Sequence, residues 1–242
     1  MDEMIHNIDD IVKLIDSWGI LPFFNNDIPG FSLAEHTPAE LWFPDNDDQQ
    51  DNGVWDWKSD IIVQSGCAYG KLCQGKACFA SLPFYKHLLN YRRSLYKRSA
   101  AERKILNVLK EHHSLLSGEL KKLCGYVKKP VHAGSTPLAK MVEKQNAVPK
   151  RKKKGTEGFE TALTHLQMGC YVVTADFEYK HTRNGARYGW GVARYCTPED
   201  FFGADELKVS ESPTESVTLL MRQLCEALPD VNIWQAAQFL KF

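Results

Sequence analysis

No stretch of about 18 consecutive apolar residues occurs in this chain of 242, so no membrane-spanning helix is expected. The amino-terminal MDEMIHNIDD is acidic and holds no apolar segment of the kind a secretory signal carries, so a cytoplasmic protein is expected. The tight Cys-x2-Cys pair of zinc and iron–sulfur sites is missing. Cys67, Cys73 and Cys78 are spaced more widely, and seven cysteines is an odd number for a disulfide framework. They read as small buried hydrophobes, and neither a metal nor another cofactor is expected. A phosphate-binding loop between strand and helix is also missing, because Gly185, Gly189 and Gly191 fall in a hairpin pattern. There is no nucleophile elbow and no internal repeat.

Net charge is absent too, since 30 Lys and Arg balance 30 Asp and Glu, but the charges are not mixed along the chain. Residues 1–57 hold 13 acidic side chains and one Lys, while residues 58–154 hold 22 basic and 5 acidic ones. Residues 155–242 are mildly acidic, with 7 basic and 12 acidic side chains. A basic middle either steers towards a polyanion or is neutralised by the acidic amino-terminal segment packing on it.

Helix and turn signals are plentiful. Ile8, Ile11, Val12, Ile15 and Trp18 keep the helical period and Gly19 stops it, which predicts a helix over 5–18. Residues 20–58 read as loop, with at most a turn or two after Thr37-Pro38. The runs IIV (61–63) and ACFA (77–80) read as short strand-like or buried runs, and Pro83 opens a helix to Tyr96. Ser99-Ala-Ala-Glu102 is a capping box for a helix that reaches His113. Ser117–Cys124, closed by Gly125, is a second helix, and Glu157–Met168 a third. The third is expected to leave Glu160, Thr161, Thr164, His165 and Gln167 outside. Tyr171–Glu178 and 188–195 read as strands joined at Asn184-Gly185 by a type I′ turn, pairing Phe177 with Val192 and Tyr179 with Trp190. Thr197-Pro198 and Ser212-Pro213 start further helices.

Helix, helix, helix, strand, basic turn, strand is the order of a winged helix-turn-helix. The expected fold is therefore α+β. It divides into a mixed α/β region at 1–98, a winged helix-turn-helix core at 99–204 with a basic insertion at 126–155, and carboxy-terminal helices at 205–242. In that architecture the third helix faces the duplex and the hairpin reaches phosphates. Double-stranded DNA is the expected partner. Lys180, His181, Arg183 and Arg187 on the wing, Lys150, Arg151 and Lys152 in the insertion, and Thr161, Thr164 and His165 on the third helix are the candidate contacts. Residues 150–154 also look like a nuclear-import signal.

The motifs VWDWK (54–58), GCAYGK (66–71), NYRR (90–93), GFETALTHLQM (158–168), DFEYK (176–180) and YGWGVARY (188–195) carry a family resemblance. The chain resembles the AlkZ-type (YcaQ-like) bacterial DNA glycosylases, and more closely a smaller set of AlkZ-related proteins, over residues 1–203. The resemblance implies winged-helix modules and DNA repair. The glycosylases carry a Gln–apolar–Asp or Gln–apolar–Gln motif after a Leu-Gly-aliphatic turn, where it positions the attacking water. The similar turn here, Trp18-Gly19-Ile20-Leu21, leads into Pro22-Phe23-Phe24, which cannot activate a water. The expectation is a DNA-binding protein without the family's catalysis, with no catalytic residue assigned.

Two alternatives stand beside it. Trp55, Asp56, Trp57, Asp60 and Gln64 are a candidate pocket in which a glycosylase-like hydrolase would use other acidic residues on an aromatic-walled base; the same residues also read as a structural Trp cluster. The winged helix could also be a protein-interaction module.

Overall fold

The structure, a computed structural model, describes residues 4–43, 53–126, 157–185 and 187–241. Among them no helix is long and apolar enough to cross a membrane. The chain folds into mixed α/β architecture around two three-stranded antiparallel sheets.

The first sheet is built from the amino-terminal part. Helix α1 (Ile8–Trp18) starts on Asn7, whose side chain accepts from the Asp10 amide, and ends at Gly19. Gly19 has φ +79°, and a Cβ there would meet Phe84 and Gln223 closer than 3.0 Å, so only glycine fits. Strand β1 (Ile20–Pro22) follows at once, in a stretch the sequence reads as loop. A short helix α2 (Leu33–His36) and a 3-10 turn (Ala39–Leu41) occupy the segment after it. Helix α3 (Lys58–Ser65) contains the IIV run, which is therefore not a strand. The helical period buries Ile61 and Ile62 and leaves Val63 75% exposed, so packing of one helix face overrides the β preference of three branched residues. Strands β2 (Ala68–Cys73) and β3 (Lys76–Ala80) form a hairpin, and β3 lies in the middle of the order β1-β3-β2. Side chains alternate across this sheet. Ile20, Cys78 and Ala80 face a core completed by carboxy-terminal helices, while Leu21 and Phe79 face α1 and α3.

Helix α4 (Leu82–Leu95) carries the NYRR motif, and its arginines are structural. Arg92 is fully buried. Its Nη1 donates to the carbonyls of Leu72 and Met168 (2.8 Å for the latter), and its Nη2 donates to that of Leu240 (3.1 Å). Arg93 donates to the Cys170 carbonyl and pairs with Glu199.

The second sheet belongs to the part with the order helix, strand, helix, helix, strand, strand. Helix α5 (Ala100–His112) opens with the complete Ser99–Glu102 capping box. Strand β4 (Ser114–Leu116) stands where the sequence shows only a break between helices. Helices α6 (Ser117–Leu123) and α7 (Phe159–Met168) pack on α5 around Ile105, Leu109, Leu120, Leu163 and Leu166. Strands β5 (Val173–His181) and β6 (Arg187–Cys196) complete the sheet in the order β4-β6-β5. Helices α8 (Pro198–Phe202), α9 (Pro213–Ala227, with a Ser212–Glu215 capping box) and α10 (Ile233–Leu240) finish the chain. One continuous core joins β2, β3, α4, α9 and α10 with Cys170, Val173 and Cys196. Six of the seven cysteines are buried and all are free, in keeping with their reading as small hydrophobes.

Candidate nucleic-acid interface

The β5–β6 hairpin brings the basic tip together. Lys180, His181, Arg183, Asn184 and Gly185 are all exposed. The backbone of Arg187 pairs with His181 across the strands, and its side chain lies outside the described ones. The register differs from the expected one. Phe177 faces Ala193 and Glu178 faces Val192, whereas Lys180 faces Tyr188, with an irregularity between Glu178 and Lys180. Of the turn's described residues only Gly185 has positive φ (82°), and its amide donates to the Thr182 carbonyl at 3.0 Å. A two-residue I′ turn needs positive φ at both Asn184 and Gly185, so the loop is longer and the pairing shifts. Arg194 is tied to Glu178 by its Nε at 2.6 Å and so belongs to the sheet rather than to the tip.

The root of the hairpin is clamped on the amino-terminal region. Tyr179 donates its hydroxyl to Asp56 Oδ1 at 2.6 Å, and Ser59 donates to Asp176. The Trp55 and Trp190 rings meet edge to face at 5.7 Å, and Tyr69 meets Phe177 at 5.6 Å. Lys58, 5% exposed, places its Nζ 3.6 Å from the Trp55 ring centre and just over 5 Å from those of Phe23 and Phe177. Burial pushes its amine down from 10.5 to about 8, against the pull of the Asp56 charge. Sequence reasoning missed the bond from Tyr179 to Asp56 and the place of Lys58 among the Phe23, Trp55 and Phe177 rings, because Asp56 and Phe177 lie on the far side of these contacts, more than a hundred residues away along the chain.

The candidate pocket residues divide. Trp55, Asp56 and Trp57 stand at the hairpin root, with Trp55 and Trp57 packed against the amino-terminal core. Asp60 is exposed on the first turn of α3, and Gln64 donates to Asp9 at 2.6 Å. Pro22 lies in β1 opposite Cys78, Phe23 is buried, and Phe24 is 42% exposed beside Trp55.

Helix α7 offers less than expected. Thr161 is exposed, but Thr164 accepts from Lys71 Nζ at 3.4 Å. Gln167 is 3% exposed, not outside, because its Oε1 accepts from the Lys71 amide. The β2–β3 hairpin thus covers one flank of the helix. His165 Nδ1 lies 2.9 Å from Glu157 and 3.4 Å from the buried Glu102. Glu102, Glu157 and His165 have ligand atoms within 4.8 Å of one another and are the described residues best placed to hold a cation. The carboxylates are already occupied: Glu102 accepts from the Tyr96 hydroxyl and the Ser99 amide, and Glu157 from Ser99 Oγ at 2.6 Å. This network joins the start of α5 to the start of α7. Lys150, Arg151 and Lys152 lie outside the described residues. A cleft lined by Asn26, Ile28, Gln74, Trp234, Gln238 and Phe239, its exposed walls more apolar than polar, was not foreseen, and Asp27 is the one ionisable group among its described lining residues, so it holds no acid–base pair.

A family model described as AlkZ related matches residues 5–241, nearly the whole chain, which relates it to DNA-repair glycosylases. No curated protein and no solved structure matches the chain.

Proposed function

Because the chain belongs to the AlkZ-related family, we propose that it binds double-stranded DNA through the β5–β6 hairpin and does not excise bases by the glycosylase mechanism. The observation that carries the reading is the exposed tip, with Lys180, His181 and Arg183 held out from a root clamped by Tyr179–Asp56 and Trp55–Trp190. A rigid root under a charged tip fixes where the charges meet a phosphate chain. The order of α5, β4, α6, α7, β5 and β6, closed by the sheet β4-β6-β5, supports a winged helix with this hairpin as its wing.

The wing, not α7, supplies the phosphate contacts. Helix α7 presents Glu160, its His165 is held by two carboxylates, and Thr161 is the polar side chain it leaves open. The absence of glycosylase chemistry rests on Pro22, Phe23 and Phe24, none of which can position or deprotonate a water. Asp56, next to the Trp55 that packs against Phe24, already accepts the Tyr179 hydroxyl and sits beside the Lys58 charge.

Fluorescence anisotropy with a labelled duplex of about 20 base pairs tests the proposal. At low salt the double variant K180E/R183E is expected to bind about tenfold or more weakly than the parent. Equal affinity of the two proteins, or no duplex binding by the parent, overturns it.

A further inference from the structure

Four aromatic rings form an open cluster beside the basic hairpin. Phe43 is 62% exposed, Trp190 69% and Phe24 42%. Trp55, half-buried, is the hub: its ring centre lies 6.4 Å from Phe24, 6.4 Å from Phe43 and 5.7 Å from Trp190. The hub is fixed from beneath, because Lys58 Nζ sits 3.6 Å over its ring and Phe23 meets it edge to face at 5.9 Å. The Trp55–Trp190 planes cross at 81°, so the two indoles touch without stacking on each other. Solvent-facing rings on a clamped base are not needed for the core, which closes beneath them on Phe23, Phe79 and Ile62.

We infer that Phe24, Phe43, Trp55 and Trp190 form a stacking platform for unpaired bases, so that the preferred ligand is nucleic acid with a single-stranded segment. Every base presents a π-face, and an exposed ring beside positive charge is how proteins hold single strands without reading sequence. The charge complement is on the same hairpin. Trp190 follows Arg187 by three residues, about 10 Å along β6, and Lys180, His181 and Arg183 are exposed at the tip beyond. In sequence, Asp45, Asp47, Asp48 and Asp51 lie between Phe43 and Trp55, and their charge opposes phosphate. The positive side available to the phosphates of a bound strand is therefore the hairpin's, with Lys180, His181 and Arg183. This inference rests on the nucleic-acid reading above and names the form of the ligand.

The test uses the full chain, an oligothymidylate of about 15 nucleotides and the duplex used above, with W190A, W190F and K180A/R183A as variants. Single-strand binding is expected to quench tryptophan fluorescence in the parent. W190A is expected to weaken it by about 5- to 150-fold, the range of one base–ring stack, and W190F to recover most of the loss. Duplex affinity is expected to fall in K180A/R183A and to change little in W190F, which keeps a ring against Trp55. If W190A binds the oligothymidylate as the parent does while duplex binding is intact, the platform is refuted and the wing stands. If the parent binds neither probe, the nucleic-acid reading itself fails. A parent dimer at micromolar concentration that W190A dissolves also refutes the platform, because the rings then serve a protein contact.

Discussion

Replacing Lys58 by Met is expected to change how stability depends on pH, and the direction follows from the aromatic cage. In the folded chain burial holds the Lys58 amine at about 8, against 10.5 when solvated. Below about pH 8 the amine is charged in both folded and unfolded states, and folding bears the whole cost of burying it. Between about 8 and 10.5 the folded protein has released this proton and the unfolded chain still binds it. The unfolded state then holds more protons, so stability rises with pH in that window. A depression from 10.5 to about 8 amounts to about 3 kcal/mol in full. From about pH 7.5 to 9.5 the linkage relation releases about 2 kcal/mol of it. Rings 3.6 to 5.3 Å from the Nζ favour the charged form, which makes this an upper value. Buried tyrosines and cysteines pull the other way as pH rises, because burial holds groups such as Tyr195 and Cys196 up at about 12 while the unfolded chain ionises earlier. The informative quantity is therefore the difference between parent and K58M in urea unfolding at the two pH values. Met fills the cage with an apolar chain of similar reach and does not titrate. The parent is expected to gain up to about 2 kcal/mol on K58M over this range. A difference that does not move with pH refutes the buried, depressed amine.

Arg92 and the hairpin root give two further outcomes. R92M leaves the buried carbonyls of Leu72, Met168 and Leu240 without their donor, and urea unfolding is expected to show a loss of about 3 kcal/mol; less than about 1 kcal/mol would mean that the charge cost as much as its bonds return. In G191A the new Cβ falls 2.8 Å from the Tyr179 ring, so the ring must shift and the Asp56 bond is lost. The expected cost is about 1–3 kcal/mol, with about 1–2 kcal/mol for Y179F alone. Because both changes act on one contact, the double variant is expected to cost less than their sum, and a double-mutant cycle that is additive contradicts the clamp.

What the sequence shows plainly is local. The capping box at Ser99, the helix start at Ser212, the stops at Gly19 and Gly125, and the exposed basic side chains of Lys180, His181 and Arg183 are each written within a few residues, and the structure contains them. What it hides is set by partners far along the chain. The IIV run becomes helical because one face of α3 packs on α1, not because of its own preference. Gln167 looks like an outward residue of an amphipathic helix until the β2–β3 hairpin, 96 residues earlier at Lys71, covers it. Nothing near Arg92 in sequence signals that it is buried, and its partner Leu240 lies 148 residues away. The hairpin register needed the conformation of Asn184, which a dipeptide signal does not fix. For the interface, the charges of the wing were legible and the clamp that holds it was not, since Tyr179 and Asp56 are 123 residues apart.

The salt dependence of duplex affinity tests the central claim most directly, because each phosphate contact releases counterions and adds to the slope. With about five contacts the parent is expected to give a log–log slope of about −4 to −5. Removing two of them in K180A/R183A should make it shallower by about 2. A slope near zero in the parent, or the same slope in both proteins, contradicts a wing that grips DNA by its phosphates.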